Sequence, residues 1–182
     1  MTPLANVPTL VLIGPSGAGK TTLISRLLAA RPHAETWAVL ANDRGAVRIR
    51  SRDGVSVAEV GGCACCTAQV ALRVALTRLL REARPAPLFV ELDAASHTNE
   101  GLKTLRNPWL ASILAIEAVV GVFGDGGQPS SAAVQAGLAS CDVVCVRGDP
   151  AAFAPLAAGK RVLDASRATL AALQGVSVSD PR

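Results

Sequence analysis

Aromatic side chains make up only 3% of the 182 residues and charged side chains 18%, while 50% are hydrophobic. Little charge beside ample apolar material excludes intrinsic disorder, and the length excludes a multidomain enzyme of ordinary domain size, which leaves one well-buried core. The first 19 residues carry no charged side chain and no basic segment precedes them, yet Pro3, Asn6, Pro8, Gly14 and Pro15 break the run. That pattern is neither a signal peptide nor a membrane span. Elsewhere charge cuts the apolar runs, as Glu117 cuts the stretch from Leu110 to Phe123. The expectation is a soluble cytoplasmic protein with no membrane partner. Lysine is scarce, three residues against fifteen arginines, and the net charge is +4. The arginines are scattered, so they read as a solvated surface rather than a nucleic-acid patch. Five cysteines without an export signal do not make a disulfide framework, and their spacing needs another explanation.

What is present is an alternation of short apolar runs with helical patterns. Thr9 to Ile13, Trp37 to Ala41, Val55 to Val60, Leu88 to Leu92, Ala118 to Phe123, Val143 to Val146 and Arg161 to Leu163 read as strands. A helix is expected from about Lys20 to Ala30, stopped before Pro32, and another between Gln69 and Arg84, where apolar residues fall at 72, 75, 76, 79, 80 and 83. Runs apolar on both parities imply strands covered on both faces, hence an α/β fold with a mainly parallel sheet flanked by helices. Gly124 to Ser131 reads as a loop, so residues 1–182 are expected to form a single domain.

Three constellations carry chemistry. Gly14, Pro15, Ser16, Gly17, Ala18, Gly19, Lys20 and Thr21, followed by Thr22, match the phosphate-binding pattern of Gly, four residues, Gly, Lys and Ser or Thr, set between a strand and a helix. The glycines let backbone N–H groups point at phosphate oxygens, the helix N-terminus adds partial positive charge, Lys20 reaches the β- and γ-phosphates, and Thr21 offers a hydroxyl to Mg²⁺. Glu91 closes the LFVEL strand, where a carboxylate can hold Mg²⁺ directly or through water and help orient an attacking water; Asp93 shares its parity. Cys63, Cys65 and Cys66, loosened by Gly61 and Gly62, can converge on a soft or borderline cation such as Zn²⁺ or Cu(I). The fourth position is open to water, a partner's side chain, Asp43, Glu59 or His97. Cys141 and Cys145 read as small buried hydrophobes facing one side of an apolar strand.

In this order the motifs resemble the CobW family of metal-handling GTPases, relatives of HypB and UreG. GPSGAGKTT at 14–22 is similar to its P-loop, ANDRG at 41–45 to its switch segment, GGCACC at 61–66 to its GCxCC signature, FVELDAASH at 89–97 to its Walker B strand and loop, and VVGVFGD at 119–125 to the strand that follows. The resemblance implies a SIMIBI-type P-loop GTPase fold, slow Mg²⁺-dependent GTP hydrolysis with Lys20, Glu91 and Asp43 as its working side chains, and delivery or gating of a transition metal for a client metalloprotein; a homodimer is compatible with it. The chain departs from the family at three points. Ala94 replaces a glycine of the Walker B loop; Val146, Arg147, Gly148 and Asp149 stand where the guanine-recognition motif NKxD is expected; and the chain stops where typical relatives carry a second domain. Asp149 still offers an acceptor to guanine and Arg147 a surface for stacking, so the expected preference for GTP over ATP is smaller than an intact motif would give. Two other readings stay open: a nucleotide- and metal-binding module without useful hydrolysis, and a small-molecule P-loop kinase, which needs no CACC.

Overall fold

The computed structural model describes residues 6–42, 48–60, 68–92, 98–124 and 131–174. Seven strands pair side by side: β1 (Val7–Ile13), β2 (Trp37–Asn42), β3 (Val55–Glu59), β4 (Leu88–Leu92), β5 (Leu114–Gly124), β6 (Val143–Arg147) and β7 (Arg161–Asp164). Their order is β3-β2-β4-β1-β5-β6-β7, and every neighbouring pair is parallel. Helices α1 (Lys20–Ala29), α2 (Ala68–Ala83), α3 (Thr98–Leu105), α4 (Pro108–Ala111) and α5 (Ala132–Ser140) lie in the connections between strands, and α6 (Leu170–Gln174) follows β7. The fold class expected from the doubly apolar strands is the one observed.

Strand alternation divides the core into two layers. Leu10 and Leu12 of β1 face α1, where Leu23, Ile24, Leu27 and Leu28 are buried; Val11 and Ile13 face α2, where Leu72, Leu76, Leu79 and Leu80 are buried. The stripe expected on α2 is therefore the one that packs. Because the connection after β1 runs to β2 on one side of the sheet and that after β4 runs to β5 on the other, the strand order reverses at β1 and β4, and the crevice at their carboxyl ends is the ligand position of open α/β sheets.

Two details differ from the sequence reading. Strand β5 begins four residues earlier than the expected start at Ala118 and runs through Glu117. Thr9 pairs with Ile116 and Leu10 with Ala118, so Glu117 is an extra, bulged residue, and its carboxylate accepts from Gln174 Nε2 at 2.7 Å. A charge that seemed to end an apolar run instead sits in a bulge. Cys141 and Cys145 are buried, as expected, but they do not share a face. Cys141 caps the end of α5 and belongs to the α2 layer, whereas Cys145 is on β6 and belongs to the α1 layer. Burial pushes the Cys141 thiol up, and the Cys145 thiol up to about 12, so both stay protonated and neither is a ready metal ligand.

Candidate functional site

The loop between β1 and α1 is shaped by what glycine lacks. Gly14 has φ +140°, and a Cβ there would lie 2.1 Å from the backbone oxygen of Val122, so only glycine lets the chain turn so close to β5. Gly19, at φ +102°, caps α1 in the left-handed region and offers no side-chain cap, leaving the helix N-terminal N–H groups facing the loop. Such a terminus favours anionic oxygen.

Lys20 opens α1 and is only 2% exposed. Its ammonium donates to the carbonyl oxygens of Gly14 at 3.0 Å and Pro15 at 3.1 Å, holding the charge inside the loop. Thr21 donates its hydroxyl to Glu91 Oε1 at 2.6 Å. Register brings this about: Leu12 of β1 stands beside Glu91 of β4, so the carboxylate ends one strand away from the loop that follows β1. Glu91 is 1% exposed. A hydroxyl and a buried carboxylate are hard oxygen donors, and their juxtaposition fits Mg²⁺.

On the other side of the loop, Arg147 ends β6 and lays its side chain over the turn. A Cβ built on Gly124 would lie 3.3 Å from Arg147 Nε, and one on Gly19 would lie 3.9 Å from Arg147 Cδ. Arg147, Phe123, Gly124 and loop residues Pro15 to Ala18 line a cavity of ≈ 140 Å³. Val146 points away, 1% exposed in the α2 layer. Asp149 is exposed, and its Oδ1 accepts from Ala151 N at 2.9 Å, capping the short turn Pro150–Ala152. Thus Arg147 joins the phosphate loop, Asp149 remains at the surface beyond it, and Val146 is core.

One residue of this region was not singled out from sequence. Arg26 of α1 donates to the carbonyls of Ala165 and Ala168, the latter at 2.7 Å, and Ala165 N donates to Val146 O at 2.8 Å. The turn after β7 is thereby fixed beside the loop that carries Arg147 and Asp149. Asp164 accepts from both the hydroxyl and the N–H of Ser166, which holds its carboxyl below the usual carboxylate range.

Asp43, Asp93, Ala94 and His97 lie outside the described residues, as do Cys63, Cys65 and Cys66 and the loop at 125–130. Among the fourth-ligand candidates, Glu59 is described: at the end of β3 it pairs with Arg48 at 2.9 Å. No three His, Cys, Asp or Glu side chains cluster as a metal site among the described residues. No helix there is long and apolar enough to cross a membrane.

A parallel sheet, a glycine-turned loop, a buried lysine and a threonine–glutamate pair define a P-loop nucleotide-binding domain. Residues 8–148 match the nucleotide-binding domain described as CobW/HypB/UreG, and the chain belongs to that family. Over 108 residues it is 37% identical to the zinc chaperone YeiR of Escherichia coli (strain K12), a match covering 55% of this chain and 32% of YeiR. The Zn(II)-bound YjiA GTPase from E. coli superposes with a TM-score of 0.65 at 16% identity, over 97% of this chain and 66% of YjiA. The hydrogenase maturation factor HypB from Archaeoglobus fulgidus superposes with a TM-score of 0.54 at 13% identity, over 90% of this chain and 82% of HypB. The chain spans about a third of the length of YeiR and 66% of that of YjiA; the structural likenesses establish the shared fold.

Proposed function

We propose that the protein is a nucleotide-switched metallochaperone or metal-insertion accessory GTPase of the cytoplasm, which binds GTP with Mg²⁺, hydrolyses it slowly and hands zinc to a client metalloprotein. The observation that carries this reading is the pairing of Thr21 with buried Glu91 at 2.6 Å beside the Lys20 loop. Lys20, held by two carbonyls, exchanges them for phosphate oxygens; residues 14–22 supply backbone donors; Thr21 and Glu91 hold Mg²⁺, whose charge neutralises the β- and γ-phosphates. Glu91 and Asp43 sense the γ-phosphate. Hydrolysis is slow, at roughly 10⁻⁴ to 10⁻² per second, the range of GTPases acting without a partner protein. Arg147 packs against the loop and stacks near the base, and Asp149 accepts from guanine, giving a modest preference for GTP. Cys63, Cys65 and Cys66 bind the transferred ion as thiolates. Support for zinc as cargo comes from the GGCACC segment and from the likeness to YeiR, named a zinc chaperone.

The cysteines lie in sequence between the Asp43 segment and the Glu91 strand, so contacts that order Asp43 shift the cysteine loop with it. Coupling is reciprocal and typically amounts to about 5- to 150-fold in affinity. Zinc affinity measured by chelator competition should therefore differ between the GDP form and a form loaded with a non-hydrolysable GTP analogue. Replacing all three cysteines by Ser should remove the difference and leave nucleotide binding intact. Equal zinc affinity in both nucleotide forms would leave the inert binding module in its place.

A further inference from the structure

Helix α2 buries one stripe and should present a polar face to water, yet two apolar side chains stand among the charged residues of its outer face. Val70 is 67% exposed and Val74 62%, one turn apart, and Trp109 of α4 faces them at 42% exposure. These three border an open groove of ≈ 550 Å³. A second hollow of ≈ 580 Å³ lies between α2 and β3, and Val74 is a ridge common to both. Neither hollow contains a residue of the nucleotide site.

The rim of the groove carries a surplus of positive charge. Glu82 is taken up by Arg78, one turn away at 2.8 Å. Arg73 lies over the Trp109 ring, 4.9 Å from its centre, and among the described residues neither Arg73 nor Arg81 makes an ion pair. Arg73 and Arg81 are eight residues apart, about 12 Å along the helix, which is the spacing of two carboxylates two turns apart on a second helix. We infer that this face of α2 docks an acidic amphipathic helix of a partner protein. Its apolar side chains cover Val70, Val74 and Trp109, and its carboxylates meet Arg73 and Arg81. A second copy of the chain would bring the same arginine-rich face against itself in a twofold contact, and like charges would oppose it. A phosphate backbone would leave the apolar floor uncovered.

The intact protein, without nucleotide or metal, is titrated with two fluorescein-labelled helical peptides that share the same leucine stripe, one carrying Glu and the other Lys at the flanking positions. The chain has two tryptophans. Trp37 is buried, so a shift in intrinsic emission reports on Trp109. The Glu peptide should bind saturably and shift that emission to the blue, while the Lys peptide should bind at least about tenfold more weakly. Arg73→Glu/Arg81→Glu should weaken the Glu peptide by about tenfold and strengthen the Lys peptide; both positions are exposed, and thermal melting checks that the fold is kept. Indifference to peptide charge, no change on charge reversal, or no binding at all would overturn the proposal. So would sedimentation showing a dimer that Val74→Glu dissociates, because the face would then belong to a second copy.

Discussion

The two ends of the nucleotide crevice are built differently. At the phosphate end, backbone and side chain interlock: Gly14 is pressed against Val122, Lys20 is folded onto two carbonyls, and Thr21 reaches a carboxylate on the neighbouring strand. At the other end, past Arg147, the residues that would read a base are either buried away from it, as Val146 is, or already occupied as a turn cap, as Asp149 is. On the proposed function, phosphate recognition would be part of the framework of this fold and base recognition an attachment at its surface. Change at the first end should disturb stability and binding together; change at the second should separate them.

The largest effect expected is that of Gly14→Ala. The new methyl would sit 2.1 Å from Val122 O on a backbone at φ +140°. Overpacking and strain together should cost about 3–5 kcal/mol, seen as a large fall in the urea midpoint. A small change would mean that β1 and β5 separate more easily than their contact suggests. Lys20→Ala should come next, weakening nucleotide by about 1.5–3 kcal/mol, roughly ten- to hundredfold, in a fluorescent-nucleotide titration. Unchanged affinity would make the loop merely structural and erase the contrast between the two ends.

At the base end, Val146→Asn places an amide in the apolar α2 layer and should cost about 1–3 kcal/mol of stability without raising the ratio of GTP to ATP affinity. Denaturation and competition binding on the same variant decide it, and a gain in GTP preference would put position 146 at the base after all. The smallest effect is that of Asp149→Ala. Loss of the cap on Pro150–Ala152 should cost about 0.5–1 kcal/mol, while the preference for GTP over ATP disappears and phosphate binding persists. A variant that loses both nucleotides equally would show that the two ends are not separable.

The phosphate end was legible in the sequence because its chemistry lies in consecutive residues between a strand and a helix, and because Glu91 stands at a strand end. Spacing along the chain carries both signals. The tie made by Arg26 was not legible, since its partner carbonyls at Ala165 and Ala168 are 139 and 142 residues away. Hydrophobic period placed every strand, but it could not tell a charged residue that ends β5 from one that bulges out of it. It also assigned Cys141 to β6, when the strand starts only after Asp142, whose carboxylate accepts from Val119 N at 2.7 Å. The apolar stripe at 72, 75, 76, 79, 80 and 83 marked the buried side of α2 and said nothing of its outer face. Its apolar character appears once Trp109, from a helix far along the chain, is placed beside Val70 and Val74.

The bulge at Glu117 bears on how the chain tolerates insertion and deletion. Ile116 packs in the α2 layer and Ala118 in the α1 layer, although two residues apart they should share a face. Removing Glu117 would make them sequence neighbours on opposite faces, as an unbroken strand requires. A homologue one residue shorter here would keep every core side chain in its layer and lose only the carboxylate that meets Gln174. Deleting Val119 instead would reverse the faces of one arm of β5. Gaps in an alignment of this strand therefore belong at Glu117, and sequence variation there measures the tether to α6 rather than the integrity of the sheet.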